Sequence, residues 1–168
     1  MTSVILDKTE LTEAFLEYHA DLYSFVFYRT GRKSELAEDI TQEVFMKAWS
    51  YRHTYDPDKA ALKTWLYTIA RNLIIDEYKK NSHQPEVNSE QDIDQPDTEA
   101  SDPDAPIMLN FVLNKINQLS SDEQELITLR FINEYELEEI SKIINKSYNT
   151  TKVAVHRALQ KLKLLIAN

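Results

Sequence analysis

The chain has 168 residues, 28% charged and 42% hydrophobic, with 28 acidic against 19 basic side chains for a formal net charge of −9, which suits a packed core in one large domain or two small ones. A single glycine and no cysteine exclude a glycine-rich phosphate loop, disulfides, a thiol nucleophile and cysteine-ligated zinc, and argue against β-rich architectures whose tight turns use glycine freely. No apolar run approaches the ~18 residues of a membrane span, and residues 1–7 carry no basic segment before their brief apolar stretch, so neither membrane insertion nor a signal peptide is expected and the reading is an all-α protein of the cytoplasm.

In chain order, Leu11, Phe15, Tyr18, Leu22, Phe25 and Val26 fall at helical spacing and predict an amphipathic first helix. Gly31 marks its end, because glycine tolerates the left-handed conformation found there. Ser34 is placed to cap a second helix, with Glu35, Glu38 and Asp39 at its positive end and Ala37, Ile40, Val44, Phe45 and Ala48 inward. Tyr51 to Lys59 reads as a loop around Pro57. A third helix runs to about Lys80 with Leu62, Trp65, Leu66, Ile69 and Leu73 inward. Residues 81–106 then hold 8 acids, no base and Pro85, Pro96, Pro103 and Pro106. Too little apolar bulk is present there to offset the entropy of ordering, which predicts a flexible acidic linker over 82–106 between domains at 1–81 and 107–168.

Past the linker, Ile107 to Leu119 predicts a helix, and Ser120 with Glu123 fits a capping box opening the next, through Phe131. Glu136 to Ile144 is a short helix and Asn145 to Asn149 a turn. Thr150 to Ile166 is the last helix, with Val155, Ala158, Leu159, Leu162 and Ile166 inward. The charge is unevenly spread. Residues 1–80 are net −2, residues 81–106 net −8 and residues 107–168 net +1. After Glu139 there is no acid, while Lys142, Lys146, Lys152, Arg157, Lys161 and Lys163 follow. Six bases exceed what a helix dipole asks for, and they outline a polyanion footprint on an otherwise acidic chain.

Three constellations carry chemistry. The C-terminal short helix, polar turn and basic helix have the order of a helix-turn-helix, whose second helix would enter a major groove. Asn149, Thr150, Thr151, Lys152 and His156 would then face base edges, with Val153 and Ala154 able to touch thymine methyls. Arg157 and Lys161 would take phosphates. An ordinary helical hairpin is the plain alternative. The second constellation is residues 51–80, where Tyr51, Tyr55, Trp65 and Tyr67 alternate with Lys59, Lys63, Arg71, Lys79 and Lys80. Rings that stack on bases and cations that follow phosphates are what single strands require. Trp65 is equally read as core, whereas Lys63, Tyr67 and Arg71, spaced by four, read as an exposed stripe. The third is the acidic face of Glu35, Glu38, Asp39, Gln42 and Glu43. It is open to three readings: a solvated face, a docking surface for a basic partner, or half of a Mg²⁺ site in an all-helical nucleotide hydrolase. His19, His53, His83 and His156 show no metal spacing.

Taken together the motifs ELAEDITQEVFMKAW, LKTWLYTIARNLIIDEYKK and LSSDEQELITLRFINEYELEEISKIINKSYNTTKVAVHRALQKL resemble, in this order, the extracytoplasmic-function (ECF) sigma factors of bacterial RNA polymerase. The resemblance covers roughly residues 11–81 and 107–166. It implies a transcription initiation factor rather than an enzyme, without cofactor or metal. Asp39, Gln42 and Glu43 would contact the clamp helices of the β′ subunit, and the second domain would meet the β flap. The loop from His53 to Ala60 would capture a flipped −10 base, and Lys63, Tyr67, Arg71, Asn72 and Lys79 would face the opened strand. With the aromatic-basic run, the −10 set becomes His53, Tyr55, Lys63, Trp65, Tyr67, Arg71, Asn72, Lys79 and Lys80. Asn149, Thr150, Thr151, Lys152, His156, Arg157 and Lys161 would read and hold the −35 element. A separate anti-sigma protein is the expected inhibitor. The sequence departs from the family at Thr151, often apolar, and in its short basic tail of Lys79 and Lys80. A coil of about 26 residues averages roughly 28 Å end to end, short of the roughly 70 Å of two helical turns, so the polymerase would hold the domains apart. A stand-alone helix-turn-helix regulator is the competing reading.

Overall fold

The computed structural model describes residues 6–82 and 106–168. The expected acidic linker lies outside them apart from its ends. The chain divides into two compact units, with the division between Asp97 and Thr98 inside that stretch. Every element is helical among the described residues.

The first unit is built from α1 (Lys8–Arg29), α2 (Ser34–Ser50), a single 3₁₀ turn (Arg52–Thr54) and α3 (Leu62–Ser82). Each of the three helices packs on the other two. A capping box starts α1: the Asp7 carboxylate accepts from the Glu10 amide at 2.8 Å, and the Glu10 carboxylate accepts from the Asp7 amide at 2.9 Å. These bonds occupy amide donors that the first turn leaves without helical partners. The helix ends as expected at Gly31, whose φ of 69° is left-handed. Arg32 follows it into the same region at 63°, and its amide reaches back to the Phe27 carbonyl at 2.8 Å. This double left-handed step shifts the start of α2. Lys33, not Ser34, is the N-cap residue, no side chain caps the helix, and Ser34 is its first residue. The inward face of α2 is the expected one, with Thr41 added; its hydroxyl donates to the Ala37 carbonyl at 2.6 Å.

The register of α3 departs from expectation. Leu66, Tyr67, Ala70, Leu73 and Ile74 are buried, while Leu62, Trp65 and Ile69 are only half-buried. The physical cause is aromatic packing. The Tyr67 ring meets Phe25 of α1 at 5.1 Å and 55°, while Trp65 turns to Tyr55 in the loop, also at 5.1 Å. At the far end the Tyr78 hydroxyl donates to the Arg29 carbonyl, tying the end of α3 to the end of α1.

The second unit comprises α4 (Ile107–Ile116), α5 (Ser121–Ile127) extended by a π-helical turn (Thr128–Ile132), α6 (Leu137–Ile143) and α7 (Tyr148–Ala167). The expected capping box at Ser120 is present, with the Ser120 amide donating to Glu123 at 2.9 Å. Leu113, Ile116, Leu126, Ile127, Leu129, Tyr135, Ile140, Ile143, Val155, Ala158 and Leu162 form the core. Helix α6 stops at Asn145, left-handed at φ 54°, where the Lys146 amide reaches the Ser141 carbonyl at 2.9 Å. Ser147 then caps α7 by accepting from the Thr150 amide at 3.2 Å. The last helix therefore begins two residues earlier than its sequence pattern suggests.

Candidate nucleic-acid interface

Helix α7 carries the clearest candidate surface. Successive residues turn about 100° around a helix, so Asn149, Val153, His156 and Gln160 form a stripe opposite the buried Thr151, Val155, Ala158 and Leu162. Asn149, Thr150, Lys152, His156 and Arg157 are all exposed. Thr151 is not: it is wholly buried, and its hydroxyl donates to the Ser147 carbonyl at 2.9 Å. Its expected contact with base edges is therefore corrected. It manages that burial by satisfying its hydroxyl within the first turn.

Lys161 also serves the fold. Its ammonium donates to Glu123 at 2.8 Å, clamping the middle of α7 to the start of α5. The Glu123 carboxyl is held below the usual carboxylate range, chiefly by this hydrogen bond and then by the Ser120 amide. Lys142 pairs with Glu138 at 3.2 Å. Of the six late bases, Lys146, Lys152, Arg157 and Lys163 remain without an ion pair among the described residues, and all four are exposed.

In the first unit, Asp39, Gln42 and Glu43 are exposed on the outer side of α2, with Glu43 3.8 Å from Lys47. The same unit has an open apolar groove of about 300 Å³ lined by Lys8, Leu11, Thr12, Phe15, Phe45 and Trp49. Arg52 covers Trp49, its guanidinium 4.0 Å from the ring centroid, and donates to the Trp49 carbonyl at 2.7 Å. Neither Trp49 nor Arg52 stands out in the sequence, because their pairing depends on the 3₁₀ turn that ends α2. Among the described residues no three His, Asp or Glu side chains gather closely enough to hold a metal, and no helix is long and apolar enough to cross a membrane.

The loop and α3 hold the rest. His53 is exposed, and Tyr55 is half-buried against Trp65. Burial, then Glu10 and Asp56, push the Tyr55 phenol up. Lys63 and Arg71 are half-exposed and Asn72, Lys79 and Lys80 exposed, with Lys80 4.0 Å from Glu77. The stripe expected from Lys63, Tyr67 and Arg71 does not exist as such, because Tyr67 is fully buried and cannot stack on a base. Spacing of seven residues instead lines up Trp65, Asn72 and Lys79 on the outward side of α3, with Tyr55 beside the first of them.

The family described as Sigma-70 region 2 matches residues 14–84, and Sigma-70, region 4 matches residues 112–162. The ECF RNA polymerase sigma factor SigM of Bacillus subtilis is 34% identical, over 92% of this chain and 94% of SigM. BldN of Streptomyces coelicolor, also an ECF RNA polymerase sigma factor, is 30% identical over 89% of this chain, which spans 58% of BldN's length. Among solved structures, the sigma factor RpoE in complex with the anti-sigma factor NepR from Bartonella quintana has a TM-score of 0.72 at 25% identity, covering 95% of this chain and 98% of that one. With both regions matched in order and a relative aligned along nearly its whole length, the protein belongs to the ECF RNA polymerase sigma factors, which direct transcription initiation and are not enzymes.

Proposed function

We propose that the two units divide promoter recognition between them on core RNA polymerase. The first unit docks on the β′ clamp helices through Asp39, Gln42 and Glu43, and captures the melted −10 strand with His53, Tyr55, Trp65, Asn72 and Lys79, flanked by Lys63, Arg71 and Lys80. The second unit, held at the β flap, reads the −35 element through Asn149, Thr150, Lys152 and His156, with Arg157 on phosphate. Tyr67 and Thr151 support these surfaces from within, and Lys161 supports α7 from the surface through its bond to Glu123. The acidic stretch between the units keeps the free protein from binding duplex tightly, since counterion release then rewards only the few bases of α7. A separate anti-sigma protein is the inhibitor, by likeness to RpoE, whose structure is described with NepR. The site of action is the cytoplasm.

The observation that supports this reading is the partition of exposed charge: acids on the outer side of α2, and four bases without ion pairs on and beside α7. The test is run-off transcription with purified core polymerase, on promoters selected by the wild-type holoenzyme from a randomised library. Asp39→Arg is expected to abolish core binding. Lys152→Ala is expected to keep core binding and weaken initiation by weakening the upstream contact. Full activity of Asp39→Arg, or tight sequence-specific binding by the protein without polymerase at physiological salt, would overturn the proposal.

A further inference from the structure

The outward stripe of α7 holds one residue that the fold does not need there. Val153 is 49% exposed, the sixth residue of the helix, and sits between Asn149 and His156 on the side opposite the core. Valine is a poor helix former because its branched side chain loses rotamer freedom. Its neighbours are polar or charged: Asn149, Lys152, His156 and Arg157, all exposed. His156 has company in Gln160, 3.5 Å away, whereas the Asn149 side chain makes no hydrogen bond among the described residues. The stripe therefore offers an unengaged carboxamide one turn from a half-exposed apolar side chain, within the first two turns.

In a major groove these two groups select different features. A carboxamide pairs with the N6 and N7 edge of adenine, and an apolar side chain contacts the C5-methyl of thymine. Resting on the reading of α7 as the groove-entering helix, we infer that Val153 is a specificity-determining residue that selects thymine at one position of the upstream promoter element through its methyl group, next to an adenine read by Asn149. Arg157, flanking the stripe, sets the helix on the backbone and carries no base preference itself.

The test uses holoenzyme assembled from core polymerase and the full chain, transcribing a promoter pool randomised across the upstream element. The wild-type pool should enrich thymine at one position. With Val153→Ser that preference should disappear while preferences elsewhere persist. On the best single promoter, replacing that thymine by uracil removes only the methyl and should lower initiation by about fourfold with wild type, the effect of one methyl-sized apolar contact. It should change nothing with Val153→Ser. Val153 is exposed, so the variant keeps its fold, and its thermal transition should match wild type. Arg157→Ala separates the two ways of failing. If Val153→Ser retains every base preference while Arg157→Ala lowers initiation across the pool, the thymine inference falls and groove binding by α7 stands. If Arg157→Ala also leaves the pool unaltered, the assignment of α7 to promoter DNA falls with it.

Discussion

Replacing Tyr67 by alanine separates a core residue from a base-stacking one. The side chain has no exposed surface, and its ring packs on Phe25 at 5.1 Å. Truncating a fully buried aromatic costs about 3–5 kcal/mol, of which the ring pair with Phe25 accounts for about 0.5–1.5 kcal/mol. A small domain has only about 5–15 kcal/mol in all, so the variant should be near the limit of folding. Both tryptophans, Trp49 and Trp65, lie in the first unit. Tryptophan fluorescence during urea titration of the full chain therefore reports that unit alone. With a slope of about 1–3 kcal/mol per molar, the Tyr67→Ala midpoint should fall by about 2 M or the folded baseline should vanish. Trp65→Ala, at a half-exposed ring, should cost about 1 kcal/mol; as it removes one reporter, its midpoint is read from Trp49. It should nonetheless impair open-complex formation more than its stability loss explains. An unchanged midpoint in Tyr67→Ala together with lost initiation would refute the packing argument and return Tyr67 to the single-strand surface.

Further outcomes follow from other contacts. Glu123→Gln keeps an acceptor for the Ser120 amide but loses the ion pair with Lys161, which should cost less than about 1 kcal/mol. The Glu123 carboxyl is lowered on folding, so its contribution is present above the unfolded carboxyl's ordinary pKa and fades as pH falls through the lower folded value. Amide-exchange protection of the second unit should thus differ between wild type and Glu123→Gln at neutral pH and converge in acid; a gap that widened in acid would contradict this sign. Ser147→Ala removes the hydroxyl that caps α7 and should cost about 1 kcal/mol, seen as faster exchange in the first turn of that helix. Gly31→Ala meets no atom within 4 Å of the added carbon, yet holds φ at +69°. Its cost of about 1 kcal/mol should appear in the tryptophan-detected midpoint as backbone strain alone, and unaltered stability would show that the turn relaxes out of the left-handed region.

Most helices were legible from periodicity, because each must bury one stripe and expose the other, and that requirement is written into residue spacing. The capping box at Ser120 and the stop at Gly31 were legible for a related reason: both are local, satisfied within a few residues of backbone. The face of α2 was likewise readable, and that of α7 in Val155, Ala158 and Leu162 though not in Thr151, which is buried, or in Leu159 and Ile166, which are only half-buried; with them Asp39, Gln42, Lys152 and Arg157 were readable as outward groups. What spacing could not say is which of two aromatics on α3 turns inward. Trp65 and Tyr67 are both large and flat, and only Phe25 on α1 and Tyr55 in the loop, distant in sequence, select between them. Lys161 shows the same dependence, since its partner Glu123 lies 38 residues away. Local hydrogen bonds and hydrophobic periods are short-range and survive in one dimension; ring packing and ion pairing across helices are settled by which neighbours the folded chain brings together.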